Sequence, residues 1–247
     1  GLYDYADSQR FADAVFKNPQ RQWTRTEQLD IAMAAGKPYG EPGEVYRYSD
    51  TGYILLGDIV ENITGQSLGS ALRELLHYER LGLNATWLET IEPPCPDLPD
   101  RIHQYERVIE GNAIDIYAIN GSFDIYGGGG LMSTVGDMTG FMRGLFEGEV
   151  FTQPNTLKTM LTKIPAKRGG PDYGFCPQIP GNYRLGIEAG PTNKIYSHKG
   201  HFGTLAAYVP EQRLAIALSL NSSQPKTELD LREALLKELL ALLNIPS

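Results

Sequence analysis

The chain has 247 residues, of which 41% are hydrophobic and 21% charged, and its formal net charge is −8. That length can bury a real core as one large domain or two small ones, and the composition is ordinary for a globular protein. The acidic balance and the lack of a basic stripe argue against a nucleic-acid partner, and no apolar run reaches the length of a membrane span.

Residues 8–17 and 24–35 read as short helices joined by polar turns, and 36–43 as a loop rich in Gly and Pro. Asp50 then opens a helix on which Leu55, Leu56, Ile59, Val60 and Ile63 fall on one face, predicted to be the buried one. Gly65 ends it, and Ser67 caps the next helix, to about Leu76. A Pro-rich connection covers 84–99, and 102–107 with 113–119 suggest a hairpin. Gly127-Gly128-Gly129-Gly130 breaks the pattern before a helix that runs to about Phe146, and another covers about 154–163. Strand-like runs follow at 183–188, 194–198, 204–209 and 213–220. A last helix starts from Thr227, with Asp230 three residues on, and carries a stripe of Leu235, Leu236, Leu239, Leu240 and Leu243. Helices in the middle and at the end, with strands clustered late, predict an α+β fold with an antiparallel sheet. The expected division is a mostly helical subdomain over 1–150 and a sheet portion with the final helix over 151–247, together one catalytic unit.

Cys95 and Cys176 have no metal-ligand spacing and read as structural, with a single disulfide left open. The four histidines form no zinc pattern, and no metal or cofactor is expected. Two other motifs are set aside. Gly65-Gln66-Ser67-Leu68-Gly69 matches a nucleophile elbow, but that elbow needs a strand before the serine, and helical spacing precedes this one. Ser223-Gln224-Pro225-Lys226 matches S-x-x-K, yet Pro225 disfavours the helical turn that would aim both side chains at one site.

Three positions carry more promise. A free phenol titrates near ~10 and is a poor base, but a nearby ammonium would lower that value, so Tyr48 could exchange a proton with a serine or a water. Its alternative is as one of 14 tyrosines packing a core edge. Asp50 sits at a helix start, where it could serve as an N-cap. His198 ends a strand-like run, and Gly200 would let a substrate backbone approach that edge. An exposed backbone N–H just beyond could stabilise an oxyanion.

Tyr48-Ser49-Asp50-Thr51-Gly52-Tyr53 followed by Leu55-Leu56-Gly57 resembles the Y-x-N segment of the class C β-lactamase, DD-peptidase and esterase family. Gly128-Gly129-Gly130-Leu131-Met132-Ser133-Thr134, with Asp137 and Phe141-Met142, resembles its glycine-rich segment and the following helix. His198-Lys199-Gly200 is similar to its third motif, Leu214 to Asn221 to its last strand, and Gly1-Leu2-Tyr3-Asp4-Tyr5 to the stretch shortly after its nucleophile helix. The resemblance spans nearly the whole chain.

It implies a β-lactamase/transpeptidase-like fold, with an antiparallel sheet flanked by helices and a mostly helical subdomain. It also implies a serine acylated by an amide, peptide or ester carbonyl and activated by a lysine one helical turn on. By that likeness Tyr48 is the general acid/base, and His198 orients it or binds a carboxylate. Asp50 holds the substrate, and the N–H of His201, beyond Gly200, forms half the oxyanion hole. The serine, the lysine and the opening part of the sheet are expected upstream of Gly1. The chain by itself is therefore expected to be inactive, and its leucine stripe to lack a partner. Asp50 stands where asparagine is usual in the family. A carboxylate only accepts hydrogen bonds and adds charge, which points to a substrate bearing an amine. The expected partner is a small-molecule or peptide substrate. The alternatives are a non-catalytic module binding peptide or cell-wall fragments, and a two-chain enzyme in which an upstream fragment supplies the nucleophile.

Overall fold

The computed structural model describes residues 1–96, 98, 100–107, 113–163, 167–168, 183–190, 194–223 and 230–245. The chain first forms α1 (Gln9–Lys17), α2 (Arg25–Ala34), β1 (Val45–Tyr46), α3 (Asp50–Thr64), α4 (Leu68–Leu75), α5 (Tyr78–Leu81) and β2 (Trp87–Leu88). It continues through β3 (Tyr105–Arg107), β4 (Ala113–Asp115), β5 (Leu131–Met132), α6 (Val135–Phe146), α7 (Pro154–Met160) and β6 (Lys167–Arg168). The last elements are β7 (Glu188–Ala189), β8 (Tyr196–Lys199), β9 (Thr204–Val209), β10 (Leu214–Ser219) and α8 (Leu231–Leu242). No helix among the described residues is long and apolar enough to cross a membrane.

These elements gather into two units. One draws on Gly1–Leu98, Ala118–Ser133 and Ile164–Gly181, the other on Pro99–Tyr117, Thr134–Lys163 and Asn182–Ser247.

The first unit is mainly helical. Thr24 starts α2 with a complete capping box through Glu27, and Gly65 closes α3 in the left-handed conformation expected of it. Its core holds an edge-to-face aromatic chain, Tyr5 on Phe11 at 5.1 Å and Phe11 on Trp23 at 4.7 Å. The predicted buried face of α3 is overturned. Leu56, Ile59 and Ile63 are 54%, 50% and 79% exposed, and the buried residues are Thr51, Ile54 and Gly57. One aliphatic residue, Ile54, and two small ones, Thr51 and Gly57, mark the buried face. A Cβ on Gly57 would stand 2.0 Å from the Tyr126 carbonyl oxygen, and one on Gly127 (φ +121) would stand 2.3 Å from that of Tyr53. Two backbones thus touch where any side chain would part them. The short pairings β2 with β5 and β1 with β6 had no counterpart in the sequence reading.

The second unit is built on an antiparallel sheet in the order β10-β9-β8-β7. Strand β9 is buried on both faces. Leu205, Ala207 and Val209 pack with Ile216, Leu236, Leu240 and Ile245, while Ala206 and Tyr208 pack with Met142 and Ile187. The period of two therefore sends alternate residues toward α8 and α6. The leucine stripe divides accordingly. Leu236 and Leu240 do have a partner, contrary to expectation, because β9 and β10 present an apolar face to them. Leu235, Leu239 and Leu243 remain exposed. The hairpin forms as β3 on β4. Asp230 is the N-cap of α8; Thr227, like Cys176 and residues 224–226, lies outside the described residues.

Candidate active site

In the first unit the mouth of α3 is assembled from three distant stretches. Ser49, not Asp50, holds the N-cap position, and its hydroxyl donates to the Tyr3 carbonyl (3.3 Å) rather than capping the helix. The capping acceptor comes from upstream. The Asp4 carboxylate accepts from the Asp50 N–H (3.0 Å) and from the Ala6 N–H (3.0 Å). The Tyr5 N–H donates to Thr51 Oγ1 (3.1 Å), and the Tyr5 hydroxyl lies 3.4 Å from both Asp124 Oδ1 and the Phe123 carbonyl. With its helix start satisfied by Asp4, the Asp50 side chain is available to accept a hydrogen bond from the Tyr48 phenol. The backbone contact at Gly57 and Gly127 brings the glycine-rich segment alongside. A Cβ on Gly128 would lie 3.4 Å from Asp50 Cβ and 3.3 Å from Asp124 Oδ1.

Asp4, Asp50 and Asp124 therefore share one corner. Burial raises the Asp4 carboxyl from its ordinary 3.8 to about 6, against the pull of its two N–H donors. Burial, then the charges of Asp124 and Asp4, push Asp50 well above the carboxylate range. Burial and the neighbouring Asp50 also push the Tyr48 phenol up. Asp4 and Asp50 hold protons at pH values where exposed carboxylates have lost them. Tyr48 is thus a proton donor in these surroundings, and its use as a base would need an added cation to reverse the sign. Arg47 pairs with Asp7 (2.8 Å) and lies over the Tyr39 ring.

In the second unit His198 lies on β8, opposite Ala206 of β9. Burial lowers its pKa, so the ring is neutral at pH 7, and the Tyr183 hydroxyl stands 3.5 Å from Nε2. Burial would also lower the Lys199 ammonium. Glu188 (3.6 Å), Glu233 (2.7 Å) and Asp230 (4.0 Å) outweigh it and hold that pKa up. A Cβ on Gly200 would fall 2.1 Å from Thr204 Oγ1, so the turn out of β8 needs glycine. The Gly200 N–H donates to the Thr204 carbonyl (2.9 Å), and the Gly200 carbonyl accepts from Arg232 Nη1 (2.6 Å). His201 Nε2 meets Glu106 Oε2 at 2.6 Å, and Ser223 Oγ donates to Glu106 Oε1 at 3.0 Å.

Of the residues named from sequence, Tyr48 and Asp50 are in contact in one unit. His198, Gly200 and His201 adjoin at the β8–β9 turn in the other. The idea of Asp50 as the cap is corrected, because Asp4 does that work. Ser67 follows a helix and caps α4, accepting from the Ser70 N–H, so the elbow geometry is absent there. Sequence reasoning missed Asp4, Asp124, Glu106 and Arg232 as contributors. No local pattern links positions 46 residues apart, as Asp4 and Asp50 are. No group of three His, Cys, Asp or Glu side chains placed to hold a metal ion occurs among the described residues.

Comparison with known proteins now bears on these groups. A family model described as Beta-lactamase matches residues 1–241. The chain belongs to the β-lactamase family. A protein from Escherichia coli O157:H7 named "Putative D-alanyl-D-alanine carboxypeptidase" is 26% identical over 209 residues, covering 73% of this chain and 46% of that protein. The chain thus spans about half the length of the curated relatives it matches. Among solved structures, a D-amino acid amidase from Ochrobactrum anthropi SV3 has a TM-score of 0.77 at 22% identity, covering 99% of this chain and 68% of that one. A D-stereospecific amidohydrolase from Streptomyces sp. has a TM-score of 0.75 at 22% identity, with 95% and 68% covered. A penicillin binding protein from Bacillus halodurans has a TM-score of 0.69 at 19% identity, with 97% and 70% covered. These likenesses establish a β-lactamase/transpeptidase-like fold, with helices and an antiparallel sheet.

Proposed function

We propose that this chain is the larger part of a serine hydrolase that cleaves an amide, peptide or ester bond through an acyl-enzyme. The observation that carries the reading is the Tyr48–Asp50 contact at a fixed helix mouth, in a chain of the β-lactamase family. The names of its relatives, amidases and a carboxypeptidase, support it. The serine and its lysine would come from a segment outside Gly1–Ser247, in the same polypeptide or a second one. The arriving ammonium would oppose the carboxylates around Tyr48 and bring the phenol toward base strength. Tyr48 would then take the serine proton and return it to the leaving group. Asp50, with Asp4 and Asp124 behind it, would favour a substrate carrying an amine. Neutral His198 would hydrogen-bond the substrate, and the His201 N–H, set by the turn at Gly200, would donate to the oxyanion.

Intact mass spectrometry after fluorophosphonate treatment tests this. The chain 1–247 should take no label, and the protein including the nucleophile-bearing segment should take one, at a serine outside 1–247. A stoichiometric label on Ser67 or Ser223 would sink the proposal. One observation favours a second reading, a non-catalytic peptide-binding module: the phenol is held as a donor by its carboxylate neighbours. Peptide retention without any label in the longer protein would select it.

A further inference from the structure

We propose that Arg232 is a positioning residue, which aims the His201 N–H by gripping the far edge of the same peptide unit. The inference rests on the reading of that N–H as the oxyanion donor. A trans peptide is planar, with its C=O and N–H pointing in opposite directions from one plate. The plate joining Gly200 to His201 is held at its carbonyl, where Arg232 Nη1 donates at 2.6 Å and the Gly203 N–H at 3.3 Å. Its N–H edge is thereby turned away from the guanidinium.

The grip is itself supported. Asp230 takes the guanidinium in a two-pronged bond, Nε to Oδ1 at 2.9 Å and Nη2 to Oδ2 at 2.7 Å. The same carboxylate caps α8 by accepting the Arg232 N–H at 2.9 Å. One turn on, Leu236 anchors α8 in the sheet core. The Arg232 side chain is only 11% exposed, so rotating the plate would leave a shielded charged donor unsatisfied. Glu106 meets the His201 ring at Nε2 while accepting from Ser223. Backbone orientation at this turn is therefore set by the first turn of α8, 32 residues downstream.

Two readouts separate this inference from the reading it rests on. The first is backbone amide resonances and hydrogen exchange at 200–203 in chain 1–247, for the wild type, Arg232→Gln and Arg232→Lys. The second is kcat and KM for the same variants in the protein joined to its nucleophile-bearing segment. Arg232→Gln should shift the His201 amide, speed exchange across the turn, and lower kcat about tenfold with KM nearly constant. That is short of the roughly 10²–10³ lost when an oxyanion donor is removed outright. Arg232→Lys should restore part of both. Unchanged resonances at 200–203 in Arg232→Gln overturn the inference whatever the kinetics. A disturbed turn with unchanged kcat upholds the grip and overturns the oxyanion reading. If Arg232→Gln fails to fold, Asp230→Asn, which removes the fork but keeps the guanidinium, carries the same comparison.

Discussion

The two candidate groups are electrostatic opposites. At the mouth of α3 carboxylates accumulate: burial raises Asp4 and Asp50, the charges of Asp124 and Asp4 raise Asp50 further, and tyrosine hydroxyls lie among them. At the β8–β9 turn each described cation meets a carboxylate. Lys199 faces three carboxylates, Arg232 is forked by Asp230, and His201 meets Glu106. A matched network fixes a shape, because every displacement separates opposite charges. A corner of like charges is costly in the folded chain and gains from any cation that enters it. The first arrangement suits recognition of a positive group, and the second suits a rigid backbone donor.

Removing the phenol should break the comparison most severely. Tyr48→Phe keeps the ring and deletes the proton-carrying atom. In the protein joined to its nucleophile-bearing segment, kcat/KM should fall about 10²- to 10⁴-fold, with little change in thermal stability. Equal activity in steady-state assays would reduce Tyr48 to a packing residue.

The like-charge corner should next reveal itself in stability against pH. Burial raises Asp4 in the folded chain, so its contribution to folding is complete below its ordinary 3.8 and is lost as pH rises through about 6. That loss amounts to about 3 kcal/mol. Urea titrations at about pH 4 and about pH 7 should show the slope in the wild type and a flatter one in Asp4→Asn. Identical slopes would mean that Asp4 is not strained by its surroundings.

A smaller effect separates two glycines of α3. Gly57→Ala should cost about 1–3 kcal/mol and loosen the glycine-rich segment beside Asp50, since its Cβ would meet the Tyr126 carbonyl. Gly52 has open space around it, so Gly52→Ala should stabilise by about 1 kcal/mol through helix propensity. Equal melting temperatures for the two variants would contradict the contact.

Much of this architecture was legible in the sequence where the signal was local. The Ser67 cap, the Gly65 helix stop, the strand-like run of β9 and the leucines of α8 each announce their element within a few positions. The α3 face was misread because apolar periodicity reports which face is oily, whereas burial was decided by backbone contact at Gly57 and Gly127. The pairing of Tyr48 with Asp50 could be expected from two-residue spacing at a helix mouth. Asp4, Asp124, Glu106 and Arg232 could not, since each reaches its partner through tertiary folding and none lies in a pattern of its own. The division of the leucine stripe was hidden for the same reason: only the sheet's face determines which leucines it covers.

The most direct test of the acidic corner is substrate choice at Asp50. Matched esters or amides, one with a free amine and one neutral, would be assayed with the wild type and Asp50→Asn in the protein that includes the nucleophile-bearing segment. Attraction of an amine by Asp50 predicts that the ratio of kcat/KM for amine-bearing over neutral substrate falls about tenfold, the factor given by ~1.4 kcal/mol of lost charge attraction. An unchanged ratio would contradict it and leave Asp50 as no more than the hydrogen-bond partner of Tyr48.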